Sequence, residues 1–200
     1  TSLIPGLFGA VLHNMTQQNA TLRLYEVGKT FFAQVKAELP AEREMVSGLW
    51  TGNRQEKTWY AQPERADFYD VKGVIEALAD ALNIPALRFD VPNGTRYPYY
   101  ETGAVAEVFA GEKAIGVVGK ISSRVLRNFE LKQDVFCFEL DFESLVTLAA
   151  LRRCAKPISR FPSTTRDIAL ILDKDVKAQD ILDLIEGQGH DLVEGAQIFD

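Results

Sequence analysis

Residues 104–121 read AVAEVFAGEKAIGVVGKI. Two extended runs, Ala104 to Ala110 and Ala114 to Ile121, flank Gly111-Glu112. Two strand-like runs joined across a short glycine-containing turn read as a β-hairpin. Downstream, Val135 to Leu140 is a strong strand, with Phe136, Phe138 and Leu140 on one face at a period of two. Upstream, Leu87 to Val91 is a strand that ends in the turn Val91-Pro92-Asn93-Gly94. Further upstream, Leu22 to Val27 and Met45 to Thr51 are strands. Gly28 is expected to interrupt the first before Phe31-Phe32 resumes it, and Gly52-Asn53 ends the second.

Helices punctuate these strands. Pro5 suits a first helical turn, and Leu7, Val11, Leu12 and Met15 recur at helical spacing before Asn19. Val71, Val74, Ile75, Leu78 and Leu82 form one apolar stripe, with Asp67 or Asp70 as N-cap and Pro85 as the stop. Ser122-Ser123 caps a short helix to about Phe129, and Phe142 to Leu151 reads as another. A basic stretch with two prolines and no periodicity, Arg152 to Pro162, then breaks the pattern. Beyond it come a strand (Asp167 to Leu172), a helix (Lys177 to Glu186) and a strand (Leu192 to Phe199). This β-α-β order is the opening half of a ferredoxin-like domain. Either the segment is expected to stop inside that domain or the domain is unusually small, with Ile168, Leu170, Leu172, Ile181, Leu182, Ile185, Val193 and Ile198 as its small core.

Bulk properties narrow the function. Apolar residues make up 46% of the 200 residues and charged residues 25%, an ordinary globular composition. The chain has no run of eighteen apolar residues, so no membrane span is expected, and TSLIPGLFGAVLHNM lacks the basic start of a signal peptide. A net charge of −6 argues against a chain that clamps nucleic acid along its whole surface. Cys137, Cys154, His13 and His190 are too few and too scattered for a zinc site or a disulfide framework, so no metal is expected and a cytoplasmic setting fits.

Several strings, in order, resemble the beta subunit of bacterial phenylalanyl-tRNA synthetases. Thr1-Ser2-Leu3-Ile4-Pro5-Gly6-Leu7 is similar to the family's TSLLPGLL, and Leu22 to Phe31 to its RLFEIGRVF strand. Asp67-Phe68-Tyr69-Asp70-Val71-Lys72-Gly73 is similar to DFFDLKG, Ala114 to Ile121 to the IGxxGxxHP strand and turn, and Phe161 to Leu170 to FPxxxRDiAl. One departure stands out: where the family often has HPGxxA, this chain has Glu101-Thr102-Gly103-Ala104-Val105-Ala106, so no role of that histidine carries over.

The resemblance implies an α+β fold. It would comprise a class II synthetase-like antiparallel sheet with helices, catalytically degenerate, over residues 1–152. A linker over 153–162 and half of a ferredoxin-like anticodon-binding domain over 163–200 would follow. It implies a structural role beside the alpha subunit in an α2β2 tetramer that joins phenylalanine to tRNA(Phe), with ATP and magnesium used by the holoenzyme and neither by this segment. Active enzymes of the class hold ATP with an arginine in a motif like fRxE and a second arginine in a glycine-rich strand–helix segment. Here Arg23-Leu24-Tyr25-Glu26 imitates the first, but Asp141-Phe142-Glu143-Ser144 has neither the glycines nor the arginine. No catalytic residue is therefore expected.

The remaining candidates each have a plainer reading. Arg23 and Glu26 read as the solvated face of a strand ahead of an active-site pair. Asp67 and Asp70 read as helix caps ahead of metal ligands. Cys137 reads as core, and Gly116 and Gly119 as close packing in a strand. Glu139 and Asp141 lack a histidine or metal partner, though an independent α+β enzyme built on them is one rival reading. The other rival is a free-standing RNA-binding module. Arg152, Arg153, Lys156, Arg160 and Arg166 form the basic cluster best suited to tRNA phosphates, with weak specific tRNA binding expected from this segment alone. An apolar patch for the alpha subunit is expected on the N-terminal helix or on the helix from Val71 to Leu82.

Overall fold

Helix α1 (Ile4–Thr16) starts on Pro5 and buries Ile4, Leu7, Phe8 and Val11, one face at helical spacing. The computed structural model to which it belongs describes residues 2–34, 39–84, 87–94, 96–150, 160–189 and 192–199. These fall in two compact units, 1–154 and 155–200.

The first unit is built on one six-stranded sheet. Its strands are β1 (Leu22–Phe32), β2 (Ala41–Thr51), β3 (Leu87–Asp90), β4 (Tyr100–Ala110), β5 (Lys113–Ile121) and β6 (Val135–Asp141), in the order β1-β2-β6-β5-β4-β3. Every pairing is antiparallel. The helices are α1, α2 (Phe68–Ala81), α3 (Ser123–Asn128) and α4 (Phe142–Leu148).

The period of two in β6 sorts the core. Val135 and Cys137 join a cluster with Ile4, Phe8 and Val11 of α1 and Leu126 of α3. Phe136, Phe138 and Leu140 join one with Val71 and Ile75 of α2 and Leu145 of α4. A central strand buried on both faces reads as a nearly continuous apolar run, as this one does.

Two glycines make the sheet close. A Cβ on Gly116 would lie 2.2 Å from the carbonyl oxygen of Glu139, and one on Gly48 2.2 Å from the Phe138 ring. Gly116 also sits beside a register shift, where Val108 pairs with Gly116 but Phe109 with Ala114. The close-packing reading of Gly116 and Gly119 holds, since a Cβ on Gly119 would meet the Ala104 carbonyl oxygen at 2.8 Å.

Some expectations shift. Gly28 does not interrupt β1: it pairs with Met45, and ladder neighbours on both sides carry the strand through it. β2 starts at Ala41 because the polar Glu42, Arg43 and Glu44 pair with Phe31, Thr30 and Lys29, which no alternation signals. Asp67 is the N-cap of α2, accepting from the N–H groups of Tyr69 and Asp70, while Asp70 accepts from that of Asp67. Val74 lies outside the buried stripe, whose third member is Ala79.

The second unit differs more. Helix α5 (Ala178–Gly189) forms where expected. The segments 167–172 and 192–199 form no strand ladder among the described residues. The expected core does not close either, with Ile168, Leu170, Leu172 and Ile198 exposed and Ile181, Leu182, Ile185 and Val193 only half-buried. In a split β-α-β unit the two strands do not pair with each other but with a strand between them. No such strand is present among the described residues, and helix and strand alone cannot bury enough surface.

Candidate functional site

On the α1 side of the sheet, β6 presents Cys137 and Glu139, both buried. Glu139 Oε1 accepts from Ser2 Oγ at 2.8 Å and from the Leu3 N–H at 2.9 Å. Ser2 Oγ in turn accepts from the Ile4 N–H at 3.1 Å. Leu3 is the N-cap of α1 and has no side-chain acceptor of its own, so Glu139 supplies the carboxylate that anchors the start of this helix. The neighbouring polar groups are satisfied in the same way. Ser47 Oγ donates to the Phe138 carbonyl at 2.9 Å, and Tyr100 Oη to that of Cys137 at 3.3 Å. Burial pushes the Cys137 thiol and the Tyr100 phenol well above their usual ranges, so both stay protonated.

Asp141 is committed to α4, accepting from the Ser144 N–H at 2.7 Å and from the Ser144 hydroxyl. Glu139 and Asp141 thus each hold the start of a helix. Arg23 and Glu26, three positions apart on a strand, face opposite sides of the sheet. The Arg23 guanidinium stacks 3.9 Å over the Trp50 ring and donates to the Arg54 carbonyl at 2.6 Å. Glu26 lies on the other side, where its Oε2 sits 3.3 Å from the place a Cβ on Gly6 would occupy. The two therefore form neither an active-site pair nor a single solvated face.

Asp67 and Asp70 do more than cap. Arg54 binds Asp70 at 2.7 Å, Asp67 at 2.9 Å and Glu64 at 3.2 Å. The segment 55–66 reads as polar and irregular, and a fork that joins residues ten to sixteen positions apart leaves no periodic trace. Among the described residues no three of His, Cys, Asp and Glu converge as a metal site. At the departure from the HPGxxA pattern, Lys120 Nζ lies 3.4 Å from Glu101 and 3.1 Å from Asp134.

Depressions of about 90 Å³ and 160 Å³ lie at Gly52 and at Trp50, both smaller than the 300–1,000 Å³ usual for a ligand pocket.

Of the helices expected to carry an alpha-subunit patch, α1 and α2 turn most of their apolar side chains to the two internal clusters, while Tyr69 and Val74 of α2 stay exposed. Exposed aromatic side chains also lie at Tyr25, Trp59 and Tyr60. Of the basic cluster, Arg152, Arg153 and Lys156 fall outside the described residues. Arg160 and Arg166 are exposed, and Arg166 donates to the carbonyl of its neighbour Thr165.

One ionisation near the sheet is measurable. Tyr97 Oη donates to Glu107 at 2.9 Å, and Arg96 binds the same carboxylate oxygen at 2.6 Å. Burial first, then the Glu107 bond and charge, push the phenol up to about 12. An unfolded tyrosine titrates near 10. The stability contributed by the neutral phenol is therefore complete below about pH 10 and is lost as the pH rises towards 12. Tyr97→Phe is expected to flatten the decline of the urea midpoint over that window. An unchanged decline would show that Tyr97 does not set it.

An antiparallel six-stranded sheet with helices on both faces has the fold of the class II aminoacyl-tRNA synthetase type. The fold is similar to that of the pyrrolysyl-tRNA synthetase of Desulfitobacterium hafniense, with a TM-score of 0.53 and 14% identity over 73% of this chain and 48% of that one. The chain belongs to the phenylalanyl tRNA synthetase beta chain family, whose CLM domain it matches over residues 1–142. Residues 159–200 match the ferredoxin-fold anticodon binding domain. Among curated relatives, the phenylalanine–tRNA ligase beta subunit of Staphylococcus epidermidis is 36% identical over the whole chain, and that of Geobacter sulfurreducens 35%. The chain spans about a quarter of the length of these relatives, 24% and 25%.

Proposed function

We propose that this chain is a non-catalytic part of a phenylalanine–tRNA ligase. In this reading its sheet domain supports an alpha subunit that carries out ATP- and magnesium-dependent charging of tRNA(Phe), in a cytoplasmic α2β2 assembly. The observation that carries the reading is the match of residues 1–142 to the CLM domain of phenylalanyl tRNA synthetase beta chains.

The division into a sheet domain over 1–152, a connector over 153–162 and an anticodon-domain segment over 163–200 belongs to the same reading. So does a contribution to tRNA binding from Arg152, Arg153, Lys156, Arg160 and Arg166. Lysine and arginine side chains suit sequence-independent phosphate contact. Support for this comes from the exposure of Arg160 and Arg166 and from the anticodon-domain match.

The test is co-purification. The full chain, mixed with a bacterial phenylalanyl-tRNA synthetase alpha subunit, is expected to elute with it at a fixed stoichiometry in size-exclusion chromatography. Separate elution at micromolar concentrations would refute the support role.

A further inference from the structure

Helix α3 and the turn that leaves it carry Arg124, Arg127 and Lys132, all exposed. Arg124 and Arg127 stand three positions apart and so project from one side of the helix. The segment beneath them is held firmly. Ser122 caps the start of α3, and the Leu131 N–H donates to the Leu126 carbonyl at 2.9 Å past its end. Leu126 and Leu131 are buried in the cluster that holds Phe8 and Val11 of α1, and the Phe129 ring meets that of Phe8 edge to face at 4.9 Å. Gln133 Nε2, next to Lys132, donates to the Ala20 carbonyl and to Thr51 Oγ1, both at 2.7 Å.

The three cations are not spent on the protein itself. In the same unit Lys29 pairs with Glu42, Arg54 with Asp70, Arg96 with Glu107 and Lys120 with Asp134. Arg124, Arg127 and Lys132 make no ion pair, side-chain hydrogen bond or ring contact among the described residues. Their surroundings add to the charge. From Lys113 to Gln133 there are five bases against one acid, Glu130, in a chain whose net charge is −6. Helix α1, packed beside α3, has no acid at all.

The same face lacks apolar anchors. Among the described residues, none of the large apolar side chains of α1 or of residues 113–133 is exposed. A protein hot spot is built on such anchors, and a membrane-surface helix inserts them. A cationic, polar face without them suits a phosphate backbone, which is held by charge and hydrogen bonds alone.

We propose that Arg124, Arg127 and Lys132 form an RNA-phosphate contact surface on the sheet domain, occupied by the backbone of the tRNA. This rests on the tRNA-ligase reading above and adds a contact site to the basic residues assigned there.

The test follows the affinity of the full chain for labelled tRNA(Phe) by fluorescence anisotropy between about 50 and 200 mM salt. The variant Arg124→Gln/Arg127→Gln/Lys132→Gln is expected to bind at least about tenfold more weakly at the low end, with a slope of log affinity against log salt shallower by about 2–3. Its thermal midpoint is expected to stay within about 2 °C of the parent, because the three side chains are exposed. Lys57→Gln/Arg65→Gln/Lys113→Gln removes the same charge from bases dispersed along the chain and is expected to change the slope less than half as much. A parent-like slope in the α3 variant would overturn this surface and leave the tRNA contribution of Arg160 and Arg166 standing. Equal losses in the two triple variants would overturn it too, since net charge and not this face would then set the affinity. A parent chain that binds no tRNA at about 50 mM salt would overturn both this surface and that contribution. Unchanged tRNA affinity with lost binding to a phenylalanyl-tRNA synthetase alpha subunit would overturn it in favour of a protein occupant.

Discussion

Gly116→Ala is expected to destabilise the first unit by about 3 kcal/mol, the upper end of the usual cost of overpacking. The new Cβ would lie 2.2 Å from the Glu139 carbonyl oxygen, 2.6 Å from Leu140 Cδ2 and 3.0 Å from Leu140 Cα. Two of those three atoms are backbone in the central strand, which is paired on both sides and buried on both faces, so neither can yield by a rotamer change. Gly73→Ala is the matched control. It lies inside α2 with nothing within 4 Å of the added methyl, so it is expected to stabilise by about 0.5–1 kcal/mol through helix propensity. Urea unfolding followed by the fluorescence of Trp50 reads the first unit separately from the second, in which there is no tryptophan. Equal midpoints for the two alanine variants would refute the close packing at β5 and β6.

Glu139→Ala is expected to cost a similar amount, about 3 kcal/mol, for a different reason. It removes a charged acceptor from two donors, the Leu3 N–H and the Ser2 hydroxyl, and strands a buried backbone N–H in an apolar setting. Glu139→Gln keeps an oxygen of the same shape in the same place and is expected to lose less than about 1.5 kcal/mol. If the carboxylate were instead a catalytic group with no structural task, both variants would fold with parental stability. Equal midpoints for alanine and glutamine would therefore contradict the anchoring role.

The legible parts of the fold were those governed by local periods and local capping. The hairpin of β4 and β5 follows from two extended runs about a glycine, and β6 from alternating Phe136, Phe138 and Leu140. The start of α2 follows from the Asp67-x-x-Asp70 spacing, which satisfies two free N–H groups reciprocally. What stayed hidden depends on distance along the chain. The contact of Leu3 with Glu139 spans 136 residues, and the Arg54 fork joins side chains in a segment with no period at all. Arg23 and Glu26 were legible yet misread, since a period of two by itself places positions 23 and 26 on opposite faces. Strand runs at 167–172 and 192–199 show the opposite limit. Their composition suits a sheet, but a strand also needs a partner, and composition does not supply one. For the basic cluster, residue type marks Arg160 and Arg166 as candidates without saying which phosphate, if any, each one reaches.

ATP–pyrophosphate exchange by the purified full chain, with saturating phenylalanine, ATP and magnesium, tests the non-catalytic role most directly. Exchange is expected to stay at the background of a protein-free control and to appear only when an active alpha subunit is added. Phenylalanine-dependent exchange above background by the chain alone would contradict it.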